Sequence, residues 1–236
     1  MNSTGAAPQD NSEVWSEIGH ELRGPLTGIL AFADALQYEV FGPLTPGQKQ
    51  ALLSIRESAQ RQTDLVADLM DLRRLETGIL SLTPVSCRLS ETLEQSLGKA
   101  AELLSSRSVH LSSEIVPENL SACVDAKRLE QIVTHLVMAG LRAADTQGVA
   151  HLTIRPASAF AGISLTFLVA PPGGLPTRPE TGPSDAAVEQ RLRKLGPVGL
   201  LLLKALLALH GGELVTQEIP AGCLSLTASL PCALCQ

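Results

Sequence analysis

Apolar residues recur at Val14, Ile18, Leu22, Leu26, Ile29, Ala33, Leu36 and Val40, in steps of three and four. That spacing places them on one stripe of a long amphipathic helix. Ser12 stands ahead of the stripe as a helix cap. The stretch "FGPLTPGQ" then interrupts the pattern with Gly42, Pro43, Pro46 and Gly47. A second stripe follows through Leu52, Ile55, Ala59, Val66, Leu69 and Leu72 and stops at "LETG", where Gly78 suits a helix end. The two stripes predict a helical hairpin of about 65 residues. Two helices cannot enclose a core, and a second copy covers the remaining apolar surface most simply. The pattern therefore predicts a homodimer through a four-helix bundle. Packing against the rest of the chain is the alternative.

After Gly78 the period changes. "LSLTPVSC", "VHLSSEIV", "VAHLTIRP", "GISLTFLVA", "ELVTQEIP" and "LSLTASLP" alternate or run apolar with β-branched residues, as strands do. Helical stretches lie between them, at Leu89 to Ser106, Lys127 to Ala144 and Val198 to Leu209. The Pro- and Gly-rich segment 171–185 predicts a mobile loop. The fold class is thus α+β: a helical-hairpin domain over 12–78, then an α/β domain with a mixed or antiparallel sheet over 79–236. Residues 1–11, small and polar, predict a disordered tail.

Composition narrows the function classes. The 236 residues are 44% hydrophobic and only 3% aromatic, so the core must be built of aliphatic side chains. A net charge of -6 argues against a nucleic-acid partner held through phosphates. No apolar run reaches the length of a membrane span and no signal peptide opens the chain, so the expected location is cytoplasmic. Five cysteines are present, and Cys232 and Cys235 form a single C-x-x-C without a second pair or nearby histidines, so free thiols are expected and no metal site.

The chemistry concentrates in "EIGHELRGPLTGI", residues 17–29. His20 falls beside the apolar stripe, which predicts a solvent-accessible ring. A neutral imidazole keeps one bare, nucleophilic nitrogen near neutral pH, and Glu21 is placed to orient the ring or take its proton. Pro25 removes the bond to the carbonyl of Glu21, which predicts a bend after His20. Gly19 and Gly24 predict low surface around the ring, open to a large partner.

"HELRGPLTGI" resembles the H-box of two-component sensor histidine kinases, and the likeness runs on through "FGPLTPGQKQALLSIRESAQRQTDLVADLMDLRRLETG". "VDAKRLEQIVTHLV" and "GLLLLKALLALHGGEL" resemble parts of that family's ATP-binding domain. The resemblance implies a dimeric phosphoacceptor hairpin in which His20 carries a phosphoryl group, followed by an ATPase-type α/β sandwich. It also implies a response-regulator receiver domain docking on the first helix near Thr27, Leu30 and Asp34. Many family members carry Thr or Asn four residues after the histidine, positioning a hydrolytic water. Gly24 stands there instead, so phosphatase action by that route is not implied.

The nucleotide motifs depart from the family pattern. In the N-box, Asp125, Arg128, Leu129 and Gln131 fit, but His135 and Ala139 replace the two asparagines, the second of which ligates Mg²⁺ in the family. In "FLVAPPGGLP", Ala170 replaces the adenine-reading aspartate and Pro172 the first glycine; Gly174 remains. In "LGPVGLLLLK", Pro197 replaces the middle glycine of the phosphate cradle, while Gly199, Leu200 and Lys204 remain. The expected function is a phosphorelay protein, taking phosphate onto His20 from an upstream phosphodonor, with no cofactor. ATP and Mg²⁺ belong only to the alternative of a working kinase with an atypical pocket. A second alternative is a dimeric pseudokinase scaffold that never carries phosphate. No sensor segment precedes the hairpin in this sequence, so input is expected from another protein or from a region outside it.

Overall fold

The computed structural model describes residues 12–104, 108–143, 147–171, 185–219 and 223–235. The predicted tail 1–11, most of the loop 171–185, and with them Pro172 and Gly174, lie outside the described residues. The chain divides into two compact units, Met1–Arg74 and Leu75–Gln236.

The first unit is a helical hairpin. Helix α1 spans Ser12–Gln37 and runs unbroken through Pro25. Losing one backbone donor in a 26-residue helix leaves the flanking ladder to hold it. Helix α2 begins at Pro46, a residue whose missing N–H is an orphan in any first turn. Thr45 and Gln48 cap it reciprocally: the Gln48 amide donates to Thr45 Oγ1 (3.3 Å) and the Thr45 amide to Gln48 Oε1 (2.9 Å). Asp34 accepts from Arg56 Nε at 2.9 Å and ties the two helices near the connection.

The seam between the helices differs from the predicted stripe. Gly19 and Ala33 on α1, and Ala59, Val66 and Met70 on α2, are buried, with Leu26, Leu30 and Thr63 half-buried between them. These steps of three, four and seven are those of a coiled-coil seam. Val14, Ile18, Leu22 and Ile29 are left 52%, 37%, 47% and 45% exposed, and Val40 falls beyond the helix end. The sequence merges two adjacent stripes because both are apolar; only packing separates them.

The second unit contains two sheets. Strands β1 (Val85–Arg88), β3 (Ser121–Val124) and β8 (Ala233–Cys235) form an antiparallel sheet in the order β1-β3-β8. The larger sheet has the order β2-β4-β5-β7-β6, with β2 (Ser108–Ile115), β4 (Gln147–Pro156), β5 (Gly162–Ala170), β7 (Cys223–Pro231) and β6 (Glu213–Ile219). It is mixed: β2 runs parallel to β4 and the other pairs are antiparallel. Helices α4 (Ala126–Ala143) and α6 (Pro197–Leu209) pack on this sheet, α3 (Leu89–Leu104) lies beside β2, and α5 (Ala186–Leu195) precedes α6. The core joins Ile132, Leu136, Leu202, Leu203 and Leu206 to Leu152, Leu165, Phe167 and Leu226, all buried to 0% exposure. Gly140 is required there, since a Cβ would overlap the Phe167 ring.

Strands β3 and β8 and helix α5 were not predicted. Three- and four-residue strands carry no readable period. Helix α5 follows directly on a Pro- and Gly-rich run, yet its start has a cap signal: Asp185 accepts from the Ala187 amide at 2.8 Å.

Candidate functional site: an exposed histidine and a narrow cleft

His20 sits in the third turn of α1 with its side chain exposed. Glu21 is also exposed, and no hydrogen bond joins the two. Consecutive helical residues diverge by about 100°, so a carboxylate at the next position cannot reach the ring without help from a partner.

The two flanking glycines differ. A Cβ on Gly24 would meet nothing within 4 Å, so the surface there is low, as expected. Gly19 is buried instead, and a Cβ on it would approach Met70 Sδ to 2.9 Å. Its small size serves the approach of α1 to α2, not access to the histidine.

The three candidate docking residues are unequal. Thr27 is exposed, with its hydroxyl donating to the Arg23 carbonyl at 2.9 Å. Asp34 is engaged with Arg56. Leu30 is half-buried in the seam, so it offers a partner little surface.

Of the positions matched to the nucleotide motifs, His135, Ala139, Gly199 and Leu200 meet in one cleft of the second unit. His135, Met138, Ala139, Arg142, Leu192, Gly196, Gly199 and Leu200 line that cleft between α4, α5 and α6, of about 10 Å³. Sites for small organic ligands occupy roughly 300–1,000 Å³. Two side chains narrow it. The Arg142 guanidinium lies against the Gly196 backbone at the mouth of α6, and a Cβ on Gly199 would meet His135 Nδ1 at 3.2 Å. Arg142 and Gly196 escaped sequence reading, since neither falls on a motif position; the basic residue in the last turn of α4 was the only available signal.

The surviving motif residues hold the fold. Asp125 caps α4, accepting from the Arg128 amide at 3.1 Å, and receives the Thr83 amide and hydroxyl, each at 3.1 Å. Burial pushes its carboxyl up, but these three bonds and the Arg128 charge outweigh it and hold the group below its ordinary value. Arg128 Nη1 donates to Gln131 Oε1 at 2.7 Å. Lys204 is paired with Glu189 of α5 at 2.5 Å. That bond and the Arg193 bond hold the Glu189 carboxyl low against a smaller desolvation effect. Pro197 occupies the first position of α6, where its fixed φ suits a helix start. Ala170 ends β5, 2% exposed, in an apolar cluster with Leu168, Ile219 and Cys223.

Cys87, Cys123, Cys223 and Cys232 are free thiols. Among the described residues, no helix is long and apolar enough to cross a membrane.

Comparison with known proteins gives this geometry a family. Residues 10–78 match the His Kinase A (phospho-acceptor) domain. The chain is 29% identical over 223 residues to the histidine protein kinase DivJ of Caulobacter vibrioides, covering 92% of this chain and 36% of that protein. It is 28% identical over 218 residues to the circadian input-output histidine kinase CikA of Synechococcus elongatus, covering 89% and 28%. The chain thus spans about a third of the length of these relatives. In fold it is similar to full-length ShkA, solved in complex with AMPPNP, at a TM-score of 0.64 and 22% identity over 95% of this chain and 46% of that one. The histidine kinase AdeS of Acinetobacter baumannii gives a TM-score of 0.57 at 20% identity, over 90% and 97%. Residues 10–78 thus belong to the His Kinase A phospho-acceptor family, and across both units the chain is similar to two-component sensor histidine kinases.

Proposed function

We propose that this chain is a two-component phosphotransfer protein in which His20 carries a phosphoryl group to an aspartate of a response-regulator receiver domain. The observation that carries the reading is the exposed ring of His20, at the candidate position of a hairpin that matches the phospho-acceptor domain. A bare imidazole nitrogen attacks the phosphorus of a phosphorylated donor. The P–N bond forms as the P–O bond to the donor breaks, and the donor oxygen leaves with the electron pair. The ring's other nitrogen gives up its proton to solvent, or to a carboxylate such as Glu21 once a docked partner has ordered the surface. The receiver carboxylate then reverses the sequence. The hairpin works as a homodimer, and Val14, Ile18, Leu22 and Ile29 form the apolar surface for the second copy.

In this reading the α/β unit does not use ATP. The narrow cleft, with Ala139 at the Mg²⁺-ligand position and Ala170 in an apolar cluster at the adenine-acceptor position, supports that. A working ATP-dependent kinase is the second reading, favoured by the relatives, which are named as kinases. One experiment separates them. The purified chain is incubated with radiolabelled ATP and Mg²⁺, and separately with a phosphorylated receiver protein from the same cell. Label on the wild type only from the phosphorylated receiver, removed by acid and absent in His20→Ala, supports the relay. Label from ATP alone supports the kinase, and no label from either source removes both.

A further inference from the structure

We propose that the groove between α3 and the outer edge of β2 docks an extended, basic segment of a partner protein, which adds a strand to the five-stranded sheet. Among the described residues strand β2 pairs with β4 alone and so forms one edge of that sheet. The Val116 amide donates to the Ile154 carbonyl at 3.0 Å, so at this end of the strand the even-numbered amides point to β4. Strand alternation turns the amides and carbonyls of Ser113 and Ile115 the other way, to the free edge. Neither residue hydrogen-bonds on that side among the described residues. The edge Ser108–Ile115 carries no proline and no lysine, the usual guards against pairing.

A groove of about 710 Å³ runs beside this edge, large against the cleft of about 10 Å³ between α4 and α6. Leu93 and Ile115 form an apolar floor, 4% and 9% exposed, and Val116 stands 37% exposed at one end. Glu94, Glu114 and Glu118 give the walls their charge, and among the described residues no Lys or Arg lines the groove. Glu114 is shared with Arg155 at 3.4 Å, whereas Glu94 and Glu118 have no ion-pair partner among the described residues. An extended chain with alternating apolar and basic side chains satisfies all three features: the open backbone edge, the apolar floor and the acidic rim. A helix would leave the edge amides unpaired.

The test uses the full chain and a fluorescent octapeptide of alternating lysine and valine. Three controls accompany it: the peptide with glutamate for lysine, and two versions N-methylated on one or the other set of alternate residues. We expect saturable binding, at least tenfold weaker for the glutamate peptide. Only one of the two N-methylated sets should abolish binding, because only one set of amides faces β2. Amide exchange at Ser113 and Ile115 should slow at least tenfold in the complex. Glu94→Lys with Glu118→Lys should weaken binding at least tenfold with an unchanged circular dichroism spectrum, since both side chains are exposed. Absence of binding, indifference to both N-methylation patterns, or protection appearing away from β2 would overturn the proposal.

Discussion

The hairpin and the α4–α6 cleft contrast in what they leave open. On the hairpin, reactive and apolar side chains stand in solvent: His20 and four large aliphatics of α1 remain exposed beside a complete seam. In the α/β unit the core is closed and the space between α4 and α6 falls to about 10 Å³. A phosphoacceptor needs only an accessible nucleophile and a surface to dock on. A nucleotide site needs volume, a metal ligand and free backbone donors together, so it is lost by any of several substitutions. On the proposed reading, one fold keeps the first function without the second.

Breaking the hairpin's side of the comparison has the largest effect. His20→Ala should remove phosphoryl transfer altogether, a loss of at least a thousandfold in label, because no other side chain can take its place. The variant should melt as the wild type does, since the ring is exposed. Unchanged labelling would move the chemistry elsewhere.

Next come the two cores. Phe167→Ala should destabilise the α/β unit by about 3–5 kcal/mol, through lost burial and the cavity facing Gly140. Urea unfolding with separate probes on the two units checks that the hairpin transition stays in place.

Glycine substitutions sharpen the contrast within α1. Gly19→Ala makes the flexible end of Met70 shift, which should offset most of the usual helix-propensity gain of about 1 kcal/mol, and Met70→Ala should restore that gain if the contact is the cause. Gly24→Ala meets open space and should stabilise the hairpin by about 0.5–1 kcal/mol. The thermal melt of Gly24→Ala should rise more than that of Gly19→Ala.

The last contrast is acid sensitivity at Asp125. Its folded pKa is lowered, so its stabilising contribution is complete above the unfolded value and fades as pH falls through the folded one. Asp125→Ala should cost about 1 kcal/mol near neutral pH, as helix-cap losses do. The gap from wild type should close below about pH 4, near the unfolded carboxylate value. A gap independent of pH would assign the loss to packing.

The sequence by itself determined the hairpin, its connection and the exposure of His20, because a period sustained over two long helices is local and redundant. Gly78 ends α2 in the left-handed region, at φ 68°, as its place after the second stripe predicted. The main strands of the larger sheet were legible for the same reason. Only the tertiary structure decided the rest. It assigned Gly19 to the seam and left Val14 and Ile18 exposed, although all three lie within six residues of one helix. It brought Arg142 to Gly196 across 54 positions, and Cys123 beside Ala233 in a three-residue strand that no pattern announces. Pairings between distant segments leave no period in either one, so they are settled when the elements pack and not before.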